Sequence, residues 1–216
     1  MALSGVSAAQ APVDCAKVKC LALTFDDGPS KYTPALLDTL KKQKVKATFF
    51  LMGKHAEKYP KIARREVREG HVVGNHTFDH PHLTQLTDLD IQVQIESTQD
   101  AIRRATGVTP RLFRPPYGDT DDRIADLAGQ EGLPQILWTG TTLDWKLRDQ
   151  KKITAAVLRL ARRDGVILMH DVVPQTVRAM PGIVKELKKR GYHLVTVPVL
   201  LKGKSVPPGA TFPTVG

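Results

Sequence analysis

From Val18 onward, short apolar runs alternate with longer amphipathic runs. The apolar runs have the length of buried strands, and the amphipathic runs have the length and periodicity of helices. Strands that alternate with helices in this way form βα units, in which the strands are parallel and buried on both faces. The pattern therefore predicts an α/β protein with about seven parallel strands, arranged either as a barrel or as an open wound sheet.

The predicted elements follow from these runs and from the residues that punctuate them. The predicted strands are 20–25, 47–52, 71–74, 112–113, 135–139, 166–170 and 193–197. The predicted helices are 34–44, 55–69, 88–106, 121–131, 152–162 and 175–189. Thr33 is interpreted as an N-cap before Pro34 in the first turn. Five glycines follow helices where a left-handed cap is needed: Gly70, Gly107, Gly132, Gly165 and Gly191.

The chain length of 216 residues suits one domain with a substantial core. No internal repeat or linker divides the chain, so we expect an N-terminal extension at 1–17, a single domain at 18–202 and a surface tail at 203–216. Hydrophobic residues make up 41% and charged residues 25%, which excludes a disordered chain. The longest apolar runs are too short to cross a bilayer, so no membrane span is expected.

The balance of 32 Lys and Arg against 22 Asp and Glu gives a formal charge of +10. The basic residues are scattered over helical segments without interleaved aromatic residues, which argues against nucleic-acid binding. Two interpretations remain for this charge. It is either a solvated basic surface or a preference for an anionic polymer such as a cell wall.

The two cysteines, Cys15 and Cys20, lie close together near the N-terminus. They form either a small disulfide or two unpaired thiols, and a disulfide would indicate an oxidising compartment. The segment 1–14 has no basic region followed by an apolar one, so it does not resemble a signal peptide. We expect a secreted or cell-wall-associated protein whose export signal has been removed.

The first motif is the run Thr-Phe-Asp-Asp-Gly-Pro at 24–29, where the first predicted strand ends. Adjacent acids before Gly-Pro often serve only to form a turn. At the exit of a strand, however, consecutive side chains point in different directions. Asp27 is therefore a candidate metal ligand, and Asp26 a candidate base beside a bound water.

The second motif, His-Thr-Phe-Asp-His-Pro at 76–81, follows the third predicted strand. His76 and His80 are four residues apart, so a single helical turn would place both imidazoles on one side. Two histidines and a carboxylate after strand ends fit a catalytic metal with open coordination positions. Asp79 and His82 are alternative ligands, although a surface turn is the simpler interpretation of both. Three further histidines have no such neighbours and are interpreted as structural: His55, His71 and His193.

The third motif is Arg-Pro-Pro-Tyr-Gly at 114–118. Its prolines fix the backbone before Tyr117, whose N–H could face a developing oxyanion. Arg114 could pair with a carboxylate. A plain loop without a role in catalysis is the alternative interpretation of the motif. Two further motifs, Leu-Asp-Trp at 143–145 and Leu-Met-His-Asp at 168–171, follow later strands. His170 is a candidate general acid that Asp144 could keep protonated, and packing is the alternative role for both residues.

Taken together, in this order and spacing, the motifs resemble the polysaccharide deacetylase family, also called the NodB-homology or family-four carbohydrate esterase domain. The resemblance covers 18–202 and includes a counterpart of every motif block of the family. It implies a distorted (β/α) barrel with about seven parallel strands in a single domain. One departure is Thr141, where many relatives carry an acid; it puts the fine tuning of the site in doubt, not the reaction.

The resemblance also implies a role for each site residue. Asp26 is the implied base, oriented by Arg114. His170 is the implied acid, partnered by Asp144, and Tyr117 is the oxyanion donor. The implied metal ligands are Asp27, His76 and His80. The residues that match the wall of an acetyl-methyl pocket are Trp145 and Leu168. The implied cofactor is a divalent metal, zinc or alternatively cobalt.

By this resemblance the chain is expected to be a metal-dependent hydrolase that removes acetyl groups from a polysaccharide. The sequence does not determine the oligomeric state, and a monomer is the favoured expectation. N-acetylglucosamine polymers, either chitin oligosaccharides or peptidoglycan, are the expected substrates. Acetylxylan esterase activity is expected as a secondary reaction, or alternatively as the main one. Two rival interpretations are an iron(II) oxygenase, which would leave Asp26 and His170 without a task, and a catalytically silent glycan-binding module.

Overall fold

The computed structural model describes residues 13–213. Every strand pairing in this part of the chain is parallel, as expected for βα units. The strands are β1 (Cys20–Asp26), β2 (Thr48–Leu51), β3 (Val72–Asn75), β4 (Gln135–Ile136), β5 (Gly140–Thr141), β6 (Gly165–His170), β7 (His193–Val195) and β8 (Thr211–Phe212). The helices are α1 (Thr33–Lys42), α2 (Gly53–Lys58), α3 (Pro60–Arg68), α4 (Asp88–Thr106), α5 (Asp122–Gln130), α6 (Asp144–Leu147), α7 (Gln150–Leu160), α8 (Pro174–Lys189) and α9 (Val197–Leu200).

The strands form an incompletely closed barrel. Five strands pair in the order β3-β2-β1-β6-β5, and β7 pairs with the first half of β1. A second sheet contains β4 and β8. Single bridges from Phe113 to Asn75 and to Gln135 connect β3 with β4. The prediction of a distorted α/β barrel is confirmed, and its parallel strands bring their carboxyl ends to one face.

The apolar core lies between the strands and the surrounding helices. All seven residues of β1 are buried, which fits its central place in the sheet. Phe25 and Phe49 stack with ring centroids 5.2 Å apart, and α1 buries three leucines against this layer. No helix within residues 13–213 is long and apolar enough to cross a membrane. Cys15 and Cys20 form a disulfide, so the first of the two expectations for the cysteines is correct.

Several predicted boundaries are wrong for identifiable reasons. The predicted helix 55–69 is divided into α2 and α3, because Pro60 excludes its predecessor Tyr59 from helical geometry. The predicted strand 112–113 is reduced to the two bridges of Phe113. The predicted strand 135–139 ends at Ile136, and a separate short strand, β5, begins at Gly140.

The turn signals and the tail also differ in part from expectation. Thr33 is the first residue of α1 rather than its N-cap, and its hydroxyl contacts Asp171 instead. Gly165 begins β6, and the left-handed position is taken by Asp164. The predicted surface tail returns to the barrel, because β8 pairs with β4 and Phe212 packs against the apolar core.

Candidate active site

A cavity of about 430 Å³ opens at the carboxyl ends of the barrel strands. It is lined by Asp26, Asp27, His76, His80, Tyr117, Trp138, Thr141, Leu143, Trp145, Leu168 and His170. The two remaining predicted site residues, Arg114 and Asp144, are buried behind this wall and hydrogen-bond to residues that line it. Motifs that are distant in the chain therefore meet in one place, as the architecture requires.

Asp27, His76 and His80 form a group that could hold a metal ion, with ligand atoms that all lie within 4.8 Å of one another. The Nε2 atoms of His76 and His80 are 3.5 and 3.4 Å from Asp27 Oδ1. The predicted helical turn at 76–80 is wrong, because Thr77 and His80 have left-handed backbones with φ of 63° and 70°. The two imidazoles nevertheless approach each other, with ring centroids 5.0 Å apart.

The chemistry of this group fits a divalent metal such as zinc. Asp27 Oδ1 is buried and has no hydrogen-bond partner within residues 13–213, so its lone pairs are available to a cation. Burial raises the pKa of Asp27, but the imidazoles of His76, His80 and His170 lower it by more than burial raises it. The pKa of Asp27 therefore lies below its usual range. His76 Nδ1 donates to the Arg114 carbonyl at 2.6 Å, which leaves the Nε2 lone pair for a metal.

His55 supports the metal group, although the sequence indicated only a structural role. Its Nδ1 donates to the backbone carbonyl of Asp27 at 2.6 Å. Asp27 has a left-handed backbone with φ of 70°, which is unfavourable for a residue other than glycine. The hydrogen bond therefore holds Asp27 in the conformation that points its carboxylate at the histidines. No local signal reveals this contact, because 28 positions separate the two residues.

Asp26 is fixed by the fully buried Arg114, whose Nη1 donates to Asp26 Oδ1 at 2.7 Å. The other two guanidinium nitrogens, Nε and Nη2, donate to the carbonyls of Ile136 and Leu137 at 2.7 and 2.8 Å. Asp26 Oδ2 remains free of this clamp and lies 3.7 Å from His76 Nε2. One carboxylate oxygen is thus held by arginine while the other faces the metal group.

His170 stands at the end of β6 with its Nδ1 2.7 Å from Asp144 Oδ1. Asp144 Oδ2 accepts two further bonds, from the His170 backbone N–H at 2.8 Å and from the Thr176 hydroxyl at 2.6 Å. Burial lowers the pKa of His170, but the bond to Asp144 and its charge raise it more, to about 9. His170 is therefore protonated at neutral pH, with Nε2 4.0 Å from Asp27 Oδ2.

Exposed apolar side chains form the rim of the cavity. Tyr117, Leu143 and Trp145 are 54%, 43% and 52% exposed, which is unusual for side chains of this size. Leu168 and Trp138 form the inner wall. The sequence analysis noted Leu143 within the motif 143–145 but gave it no role, and it did not single out Trp138. Such a rim suits a ligand with both apolar and polar faces.

The alternative ligands Asp79 and His82 do not join the metal group within the described residues. Asp79 Oδ1 accepts a bond from Gln94 at 2.7 Å. His82 pairs with Asp119 at 2.6 Å and stacks on Tyr117 with ring centroids 3.9 Å apart. Thr141 lines the cavity. Of the histidines expected to be structural, His71 is buried and His193 is exposed, and both lie outside the cavity lining.

Comparison with known proteins identifies the family. Residues 14–136 match the family described as polysaccharide deacetylase. The chain is 43% identical over 180 residues to the peptidoglycan-N-acetylglucosamine deacetylase PgdA of Listeria monocytogenes. It is 39% identical over 187 residues to a peptidoglycan-N-acetylglucosamine deacetylase of Bacillus cereus. The chain belongs to the polysaccharide deacetylase family.

The resemblance stated from the motifs is therefore confirmed. The alignments cover 83% of this polysaccharide deacetylase chain and 38% of the Listeria protein, and 84% of this chain and 68% of the Bacillus protein. A solved structure of the T48 deacetylase with substrate is 45% identical and superposes with a TM-score of 0.90. That superposition covers 93% of this chain and 99% of the other. The α/β barrel fold is shared along almost the whole length.

Proposed function

We propose that the protein hydrolyses the acetyl groups of an N-acetylglucosamine polymer in a metal-dependent reaction. One observation carries the proposal. A group of metal ligands lies between a carboxylate clamped by arginine and a histidine held protonated by an aspartate. Hydrolysis of an amide needs a base for the water and an acid for the leaving nitrogen on opposite sides of the reacting carbonyl. The cavity offers both groups beside the proposed metal ligands, with Asp26 3.7 Å from His76 and His170 4.0 Å from Asp27.

Asp27, His76 and His80 are the residues that would hold the metal, with zinc preferred and cobalt as a substitute. The chemistry that such an ion supplies is Lewis acidity toward the acetyl carbonyl and the attacking water. Three ligands from the protein leave open positions for these two groups. The iron(II) oxygenase interpretation uses the same ligands but gives no task to Asp26 or His170, so we do not adopt it.

Asp26 is the proposed base. Arg114 fixes one of its oxygens at 2.7 Å and so directs the other toward the metal group, where it accepts a proton from water. Because Arg114 is fully buried and anchored by two backbone carbonyls, the carboxylate is held in one orientation before substrate arrives. Such preorganisation reduces the ordering required in the transition state.

His170 is the proposed acid. With a pKa of about 9, it carries a proton at neutral pH and is able to protonate the sugar nitrogen as the C–N bond breaks. Asp144 is its positioning partner. Tyr117 is proposed to stabilise the oxyanion through its backbone N–H, and Trp145 with Leu168 to enclose the acetyl methyl group.

Peptidoglycan is the polymer favoured by the names of the relatives, and chitin oligosaccharides share its N-acetylglucosamine unit. The exposed rim of Tyr117, Leu143 and Trp145 suits a long glycan, because sugar rings present apolar faces to aromatic side chains. As these polymers lie outside the cytoplasm, we further propose that the protein is secreted or associated with the cell wall. Acetylated xylan is the secondary substrate in this proposal.

Acetate release from chitin oligosaccharides, peptidoglycan and acetylated xylan tests the proposal. We expect the first two to yield acetate, EDTA to abolish the release and zinc or cobalt to restore it. Far-UV circular dichroism should change little on chelation, because the barrel buries its own core without the ion. Full activity after complete removal of metal contradicts the metal role. Release from xylan alone contradicts the substrate, and no release from any polymer favours a glycan-binding module.

A further inference from the structure

A second cleft, of about 700 Å³, lies at the amino ends of the strands, on the face opposite the active site. We name it the basic cleft after the four lysines that line it: Lys44, Lys46, Lys188 and Lys202. These lysines come from three places in the fold, the segment before β2, the end of α8 and the turn after α9. Within residues 13–213, no Asp or Glu lines the cleft. The charge of its wall is therefore of one sign.

The position of these lysines follows from the fold. Helices of a parallel barrel run opposite to the strands, so their C-terminal ends collect on this face, where basic side chains are favourable. The ammonium group of Lys46 donates to the carbonyl of Glu69 at the end of α3. That of Lys188 donates to the carbonyl of Gln43 at the end of α1. A carbonyl carries no net charge, so these bonds hold both ammonium groups in place without neutralising them.

The acidic side chains around this face are already engaged by other cations. Glu69 bonds to Arg65 at 2.7 Å, and Asp164 lies 3.6 Å from Lys204. An additional cation, Lys19, lies 3.9 Å from the centre of the Tyr192 ring, a residue that lines the cleft. The positive potential of the cleft is therefore not cancelled by nearby carboxylates. A concave surface of one charge attracts counter-ions more strongly than a flat one.

We propose that the basic cleft binds a linear polymer that bears phosphate groups. Lysine ammonium groups act as point charges toward phosphate, without the fixed fork geometry of arginine. Four of them spread around an open cleft, in whose described lining there is no arginine, suit repeated anionic groups better than one small anion. Within residues 13–213, the aromatic side chains of the lining are Tyr192, which is 7% exposed, and the exposed imidazole of His193. One exposed ring offers little surface for stacking successive nucleic-acid bases, and four lysines accompany it. A phosphate polymer without bases is the occupant that this chemistry favours.

Binding on this face would leave the active site free, because the two cavities lie at opposite ends of the barrel. A polymer held in the basic cleft would then tether the protein while its other end acts on a glycan. This consequence rests on the proposed function. The binding itself does not, and the two are therefore tested separately.

The test measures binding of the full chain to labelled inorganic polyphosphate of defined length, at about 50 and about 300 mM salt. We expect binding that weakens at the higher salt concentration. The variant Lys44→Glu/Lys202→Glu should weaken it about tenfold at low salt, because each reversed surface charge removes a modest Coulombic contribution. Within residues 13–213, the ammonium groups of Lys44 and Lys202 make no hydrogen bond or ion pair, so the variant breaks no contact of the fold.

The matched control is Lys146→Glu/Lys151→Glu, which has the same net charge but changes exposed lysines of α6 and α7. It should weaken binding by less than about twofold. Equal weakening by both variants means that net charge, not the cleft, is responsible for binding. Absence of wild-type binding at low salt also overturns the proposal.

Tighter binding of a single-stranded oligonucleotide than of polyphosphate overturns the choice of partner. Acetate release from soluble chitin oligosaccharides should be unchanged in Lys44→Glu/Lys202→Glu, and failure of the proposed function would instead abolish it in the wild type.

Discussion

The two ends of the barrel differ in the type of residue that adopts the left-handed backbone conformation. Around the active site, positive φ occurs mostly at residues with side chains, namely Asp27, Thr77, His80, Tyr117 and Leu143, with Gly118 as an exception. At the opposite end, the positions that follow helices are mostly glycines: Gly70, Gly107, Gly132 and Gly191. A left-handed backbone costs a residue other than glycine roughly 1 to 2 kcal/mol.

The difference shows what each end is built for. A glycine cap satisfies the last carbonyls of a helix at low cost, so it serves stability alone. At the active site the same backbone geometry aims Asp27 and His80 at one point, and a glycine there would remove the ligand. Lys44 and Asp164 are exceptions at the amino end. The catalytic end thus accepts strain where a functional side chain must occupy an unfavourable position, and the contacts around it maintain that strain.

Removing the proposed acid or base should produce the largest effect at the catalytic end. We expect the turnover rate of Asp26→Asn and of His170→Ala to fall by roughly 10²- to 10⁴-fold, the usual scale for acid-base groups. Both variants should still bind metal. His80→Ala should lose metal, because it deletes a ligand. Acetate release and metal content of the purified variants are the measurements.

The control for this prediction is His193→Ala, which changes an exposed histidine at the amino end and should leave both measurements unchanged. If Asp26→Asn lost its metal and regained activity when metal was added, the division of roles between Asp26 and Asp27 would be reversed. The contrast between the two ends would remain.

Removal of the buried arginine should give the next largest effect, this time on stability. Arg114→Met leaves Asp26 buried without its partner, and we expect a loss of about 3 to 5 kcal/mol in the free energy of unfolding. Arg111→Met, which changes an exposed arginine three positions earlier, should cost less than about 0.5 kcal/mol. Urea denaturation measures both variants. A small loss in Arg114→Met would show that water or another group compensates Asp26.

Sequence reasoning was most successful where local signals are strong. The helix Asp88–Thr106 was predicted with its observed bounds, because Thr87 caps its start and the left-handed Gly107 ends it. The short strands β4, β5 and β8 were misplaced or missed. Their pairing depends on partners far along the chain, such as the bridge between Phe113 and Gln135, and two residues carry no periodicity.

The same distinction applies to the active site. The motif residues were found because they follow successive strands in an order and spacing that resemble the polysaccharide deacetylase family, although a turn or packing would explain each motif alone. His55 was not assigned to the site, because its contact with the Asp27 carbonyl is a tertiary one that leaves no local pattern. Leu143 was noted as part of the motif 143–145 but received no role for a related reason, since that role depends on its exposure at the rim.

The pH dependence of stability should reveal a buried group at the amino end. Burial, its largest cause, lowers the pKa of His71 to about 4, and its Nδ1 accepts the Ala47 N–H at 3.1 Å. The folded-state pKa lies below the unfolded value of about 6.5, so the contribution of neutral His71 is complete above pH 6.5 and is lost as the pH falls toward 4. Between pH 7 and pH 5, the stability advantage of the wild type over His71→Gln should shrink by about 2 kcal/mol.

Urea denaturation at several pH values measures this advantage, and His193→Gln should keep the pH dependence of the wild type because His193 is exposed. An advantage that does not change with pH would show that the pKa of His71 is the same in the folded and unfolded protein, so that burial does not disfavour its protonation.

The smallest effect tests the backbone contrast itself, through exchanges of opposite direction at the two ends. In Gly107→Ala the new methyl group has no other atom within 4 Å, so the expected loss of about 1 kcal/mol reports only the left-handed backbone, with φ of 79°. Leu143→Gly should stabilise the protein by about 0.5 kcal/mol, because relief of strain exceeds the greater entropy of glycine in the unfolded chain. The side chain of Leu143 is 43% exposed, so little burial is lost, but its removal from the rim should lower acetate release. Thermal denaturation and the acetate assay together measure both variants. If Leu143→Gly were as destabilising as Gly107→Ala, the left-handed backbone of the active-site rim would carry no strain, and the contrast between the two ends would fail.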